Sequence, residues 1–169
     1  MSDALVSHID LFPTICDLIG ISAPSWLQGK SLMPLIRGQA NGVRDEIFAE
    51  INYHAAVEPQ RAVRTQRYKY IRRFDGRTKP VFPNTDDSPG KELWLESGWQ
   101  NREMPAERLY DLVFDPNEQG NLADHPEYLS ILTDMRERLD RWMRETDDPL
   151  LQGKLPLPPE AELDDPDQL

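Results

Sequence analysis

The chain has 169 residues, 38% of them hydrophobic and 29% charged, a length that supports about one domain and excludes a large enzyme architecture. Thirty acidic side chains against nineteen basic ones give a net charge of −11. That balance disfavours nucleic-acid binding, because neutralising phosphates needs a basic face. The charge is unevenly spread: residues 145–169 carry eight acids and one base, whereas the segment from Arg61 to Lys79 carries eight bases (Arg61, Arg64, Arg67, Lys69, Arg72, Arg73, Arg77, Lys79) and one acid, Asp75. An acidic tail beside a concentrated basic segment suits an anionic ligand without making the whole protein basic.

The single cysteine, Cys16, excludes an intramolecular disulfide framework and any multi-cysteine zinc site, and leaves the compartment open. No apolar stretch approaches the roughly 20 residues of a membrane-spanning helix.

In chain order, the spacing of Ile9, Phe12, Ile15, Cys16 and Ile19 predicts a helix over about Ile9 to Ile19, stopped by Gly20. Ser7 followed three residues on by Asp10 reads as a capping box, or Asp10 itself caps and Pro13 falls in the first turn, where its missing N–H costs little. Ser31 is placed to cap a short helix ending near Gly38. After a Gly/Asn turn, Ile47 to Ile51 reads as a strand, and Arg61 to Thr65 with Tyr68 to Phe74 as a hairpin turning at Gln66-Arg67. Ser88-Pro89 sets an N-cap and first helical position for a short helix through Leu95, stopped by Gly98. Leu109 to Phe114 predicts another strand before the Asp115-Pro116-Asn117 turn. Asp124, with Glu127 three residues on, predicts the start of the longest helix, to about Glu145. Tyr128, Leu129, Ile131, Leu132, Met135, Leu139, Trp142 and Met143 line one face of it, and acid-before-base pairs such as Asp134/Arg138 mark its other side. Prolines and acids beyond Asp147 predict an extended, poorly ordered tail. This order implies an α+β fold, a small antiparallel sheet of about four strands packed by a long C-terminal helix.

Motifs for chemistry are sparse. His8, His54 and His125 lie too far apart for a local metal pair, and no phosphate-binding glycine loop, dinucleotide fingerprint or G-x-S-x-G elbow is present. Cys16, on the apolar side of the first helix, reads as a buried, inert thiol. Asp86-Asp87 and the Asp115/Glu118 pair read as turn and capping residues before they read as ligands.

Three separated segments carry a resemblance. The first is Val6-Ser7-His8-Ile9-Asp10-Leu11-Phe12-Pro13-Thr14 with Gln28-Gly29-Lys30-Ser31-Leu32-Met33-Pro34-Leu35; the second is Arg61-Ala62-Val63-Arg64-Thr65 with Tyr68-Lys69-Tyr70-Ile71; the third is Leu109-Tyr110-Asp111-Leu112 with Asp115-Pro116-Asn117-Glu118 and Asn121-Leu122. Together they resemble the C-terminal region of the type I, formylglycine-dependent sulfatases, in particular the N-sulfoglucosamine sulfohydrolase-like branch. The resemblance implies that residues 1–43 close an alkaline-phosphatase-like α/β domain that is absent here, that 44–146 form the C-terminal subdomain, and that 147–169 are an acidic, Pro-rich tail. It also implies a missing N-terminal sulfatase domain as partner, holding the formylglycine nucleophile and calcium, so that this chain carries no cofactor and no catalytic residue and is inactive alone. Ser22-Ala23-Pro24-Ser25-Trp26 looks like the formylglycine-forming element but has Trp26 where that element needs arginine.

The implied role is one wall of a cleft for a sulfated carbohydrate. Glu50 and His54 are the candidates to bond sugar hydroxyls or an amino group, and Arg61 the candidate to pair with a sulfate or carboxylate. The residues also allow Glu50 and Arg61 simply to pair across neighbouring strands, with His54 an ordinary loop residue. A different function class stays open: a free-standing module that binds sulfated glycans through the basic 61–79 hairpin. If the chain is part of a larger enzyme, the first helix is expected to expose apolar side chains where the other domain packs.

Overall fold

Four strands hydrogen-bond in the order β1-β2-β3-β4: β1 Ile47–Tyr53, β2 Val57–Arg64, β3 Tyr68–Arg73 and β4 Glu107–Asp111. The sheet is antiparallel and the fold is α+β, as the element order implies. The helices are α1 Leu11–Ile19, α2 Met33–Ile36, α3 Pro89–Glu96 and α4 Leu129–Glu145. The structure, a computed structural model, describes residues 2–153 and 155–169. Two compact units divide the chain, one made of the residues up to Ile47 with Arg64–Tyr68, the other of Phe48–Val63 with Lys69–Leu169.

The first unit is organised by Asp10, which is fully buried. Its carboxylate accepts from the Ser7 backbone N–H at 2.8 Å, the return half of the capping box, from the Lys30 N–H at 2.8 Å, and from the Arg44 guanidinium. A buried carboxylate with this many donors is tolerated because its desolvation is offset by charge-assisted hydrogen bonds. The loop reaches Asp10 because Gly29 lies against the Ile9 carbonyl; a Cβ at Gly29 would stand 1.9 Å from that oxygen. Thr14 repeats the device one turn on, donating to the Asp10 carbonyl and accepting from the Leu32 N–H at 2.8 Å. Helix α1 ends at Gly20 as the sequence predicts. Ser31 does not cap α2 in the helical sense: its hydroxyl accepts from Met33 N–H two residues on and donates to Asp17.

In the second unit, α4 covers one face of the sheet. Phe48 of β1 stacks on Trp142 with centroids 4.9 Å apart and planes 4° apart, a contact worth about 0.5–1.5 kcal/mol beyond its area. Val63, Tyr70, Leu109, Leu132, Met135, Leu139 and Met143 form the buried core. At its edge Glu107 accepts from the Tyr70 hydroxyl and from both Nε (2.8 Å) and Nη2 (2.5 Å) of Arg136. Arg136 above all, with Tyr70, holds the Glu107 carboxyl below its ordinary range; burial first, and then Glu107, pushes the Tyr70 phenol up.

Three element boundaries differ from the sequence reading. Strand β2 begins at Val57, including Pro59, which lacks a ladder donor but still accepts from Phe74 N–H at 3.0 Å. Strand β4 stops at Asp111 because the Asp111 carbonyl accepts from Phe114 and Asp115 N–H, and its side chain from Val113 N–H, folding 112–114 into a turn. The long helix is entered through a 3-10 turn, Pro126–Tyr128, with His125 rather than Asp124 in the capping position, since Pro126 keeps the residue before it extended. The tail is tied down: Asp164 N–H donates to Ala55 O at 2.9 Å, Phe82 N–H to Pro166 O at 3.2 Å, and Arg77 pairs with Asp167 at 2.6 Å.

Candidate functional site

Residues Glu50 and Arg61 meet where β1 and β2 run side by side. Period-two alternation puts Glu50 on the face of β1 that Phe48 uses to meet α4. Arg61 is 1% exposed, and its guanidinium is almost saturated by protein: Nε and Nη2 donate to Asp148 at 2.5 and 3.2 Å, and Nη1 donates to the carbonyls of Ile51 and Gln60 at 3.0 and 2.9 Å. The Glu50 carboxylate lies 3.6 Å from Nη2 with its side chain 53% exposed. The same Nη2 that donates to the buried Asp148 thus also faces the solvent-open carboxylate of Glu50.

Asp148 was not legible as a site residue, being 87 positions from Arg61. Its local signal is Asp followed by Pro149, a capping pair, and it does cap the 3-10 turn Pro149–Gln152 by accepting from Leu150 N–H at 3.0 Å. Asn52, two residues along β1 from Glu50, was also missed: its Oδ1 is buried and has no donor among the described residues.

His54 is not gathered into this cluster. It lies exposed in the turn between β1 and β2, and among the described residues its imidazole has no hydrogen-bond or ion-pair partner. The turn itself is fixed, because Asn84 Oδ1 accepts from Ala56 N–H at 2.8 Å while Asn84 Nδ2 donates to Glu58 at 3.0 Å.

Much of the basic segment is neutralised in place. Lys69 pairs with Glu118 at 2.8 Å, Arg72 with Asp140 at 3.2 Å, Arg73 with Asp75 at 2.7 Å, and Arg77 with Asp167, in addition to the Arg61–Asp148 pair. Asp115 accepts from Gly120 N–H at 2.8 Å, and this and neighbouring backbone donors lower its pKa, as in a turn; Asp87 is lowered by its hydrogen bond from Lys91. Cys16 is buried. Among the described residues no group of three or more His, Cys, Asp or Glu side chains is arranged to hold a metal ion.

The sequence model of the N-sulphoglucosamine sulphohydrolase C-terminal family matches residues 1–89. The chain belongs to this family. It is a sulfatase C-terminal region. An ulvan-active sulfatase of Formosa agariphila is 31% identical to it over 162 residues, covering 93% of this chain and 32% of the relative. The N-sulphoglucosamine sulphohydrolase of Homo sapiens is 29% identical over 175 residues, covering 88% of this chain and 34% of the relative. A solved 2-O GAG sulfatase superposes with a TM-score of 0.63 at 30% identity, over 89% of this chain and 27% of that one. The chain therefore spans about a third of the length of the curated sulfatases it matches here.

Proposed function

We propose that this sulfatase C-terminal region closes one side of an active-site cleft, working with a catalytic domain that supplies the nucleophile, on a sulfated sugar. The outward apolar side of α1 carries the reading. Phe12, Ile15, Leu18 and Ile19 are 52–65% exposed, although the helix has only its Pro13 and Cys16 side buried. Each such side chain, about half to two-thirds exposed, forgoes roughly 1–2 kcal/mol of burial, and a contiguous patch of this kind marks a docking surface. The catalytic domain is its occupant in this reading, which agrees with the share of the relatives that the chain leaves uncovered.

Within that cleft, Glu50, His54 and Arg61 form the substrate wall. Glu50 presents an exposed carboxylate to sugar hydroxyls or an amino group, and His54 adds a ring nitrogen at the tip of the β1–β2 turn. Arg61, committed to Asp148, acts from behind by orienting Glu50. The unpartnered Asn52 oxygen supplies a further acceptor for a hydroxyl. Formylglycine and calcium belong to the catalytic domain, and no chemical step is assigned to residues of this chain.

Assaying the chain alone and joined to the catalytic domain tests the proposal. The chain alone is expected to leave a sulfated disaccharide intact and the joined protein to hydrolyse it. Hydrolysis by the chain alone, or none by the joined protein, overturns the reading.

A further inference from the structure

Helix α3 ends at Gly98, whose left-handed conformation (φ 87°) turns the chain at once into the 3-10 turn Trp99–Asn101. The reversal brings Trp94 and Trp99 to one cavity of about 390 Å³, lined also by Ser97, Gly98 and Arg102. That size lies in the roughly 300–1,000 Å³ range of small-molecule sites. The two indoles meet at 5.4 Å and 69°, and Trp99 is braced from the other side by the buried Phe82, edge to face at 5.3 Å and 85°. Trp94 is 53% exposed, so its indole is open to solvent rather than buried in a core.

The polar groups of the cavity are equally unspent. Arg102 has no carboxylate partner among the described residues, in contrast to Arg61, Arg73, Arg77 and Arg136. Ser97 Oγ donates to the Trp94 carbonyl at 2.8 Å, which leaves its lone pairs free to accept.

We propose that the Trp94/Trp99/Arg102 cavity, which shares no lining residue with the Glu50 wall, binds one sugar residue bearing a single anionic substituent. The apolar C–H face of a pyranose ring lies flat on an indole, whose ring carries negative charge on its face. A guanidinium pairs in bidentate fashion with a sulfate or a carboxylate on that ring. A single cation suits one negative group; Glu92 and Glu96 on α3 and Glu103 after Arg102 disfavour a polyphosphate. The choice of sugar as ligand rests on the sulfatase reading above, while the site rests on its own geometry.

The test is NMR of the tryptophan indole N–H signals of the 169-residue chain, titrated with glucose 6-sulfate, glucuronate, glucose and inorganic sulfate. A charged sugar is expected to shift the Trp94 and Trp99 signals saturably, leaving Trp26 and Trp142 still, with glucose about 5-fold weaker and inorganic sulfate without effect. Whichever charged sugar binds more tightly identifies the substituent. Trp94→Ala should weaken every sugar at least tenfold, and Arg102→Gln should bring the charged sugars down to the level of glucose. Glu50→Gln and His54→Ala should leave these shifts unchanged, so a failure of the cleft assignment would not be mistaken for a failure here. Shifts spread over all four indoles, charged sugars no better than glucose, or an unaltered Arg102→Gln titration would overturn the proposal.

Discussion

Removing the charge of Asp148 perturbs the arrangement behind the substrate wall most sharply. In Asp148→Asn the side chain keeps an oxygen to cap Leu150 N–H, but Arg61 remains 1% exposed without its main counter-charge. Breaking a buried pair from one side costs about 3–5 kcal/mol. The carbonyls of Ile51 and Gln60 remain, and Glu50 is 3.6 Å away, so the lower end, about 3 kcal/mol, is expected. With a urea m-value of about 2 kcal/mol/M, the midpoint of urea unfolding should fall by about 1.5 M. Asp148→Ala should lose about 1 kcal/mol more through the cap. Replacing both partners, Arg61→Met with Asp148→Leu, should recover most of the loss, because an apolar pair needs no counter-charge. A midpoint shift below about 0.5 M in Asp148→Asn, or a double replacement no better than the single one, would refute the reasoning.

Four further outcomes follow from the same geometry. Gly29→Ala should destabilise the first unit by about 1–3 kcal/mol or more, read by thermal melting, because its Cβ would collide with the backbone carbonyl of Ile9 and dislodge Lys30 N–H from Asp10. Glu107, held low first by Arg136, contributes stability above the ordinary glutamate value of about 4.3 that is lost as pH falls through its folded value; Arg136→Met should therefore narrow its melting gap to the wild type in acid. Tyr70, raised by burial, contributes stability that is full below about pH 10 and lost as pH rises beyond it, so Tyr70→Phe should flatten the alkaline limb. Because Arg61, Lys69, Arg72, Arg73 and Arg77 each have a carboxylate partner, heparin retention should be lost at about 0.15 M salt; firm retention there that falls in Arg64→Ala/Arg67→Ala would revive the basic hairpin as a glycan site.

Local chemistry made much of the fold legible. The Ser7/Asp10 pair and Gly20 bracket α1, Ser88-Pro89 opens α3, and two polar residues, Gln66-Arg67, separate runs that pair as β2 and β3. Boundaries slipped where one residue outweighed its neighbours: Pro59 hid the start of β2, Asp111 cut β4 short, and Pro126 displaced the helix cap. For the candidate site, Glu50 and Arg61 were readable from the resemblance, but the state of Arg61 was not. Its occupancy by Asp148 depends on a contact across 87 residues, which neither periodicity nor composition encodes. The acidic tail likewise read as unattached charge, whereas Arg77 and the Ala55 and Phe82 backbone supply its partners.

Steady-state kinetics of Glu50→Gln and His54→Ala in the protein joined to its catalytic domain test the central claim most directly, with a sulfated disaccharide and a small aryl sulfate as paired substrates. If these side chains wall the sugar subsite, KM for the disaccharide should rise about tenfold, the equivalent of about 1.4 kcal/mol for one lost hydrogen bond to a charged group, while turnover of the aryl sulfate stays within about twofold. Equal effects on both substrates, or none on the disaccharide, would contradict it.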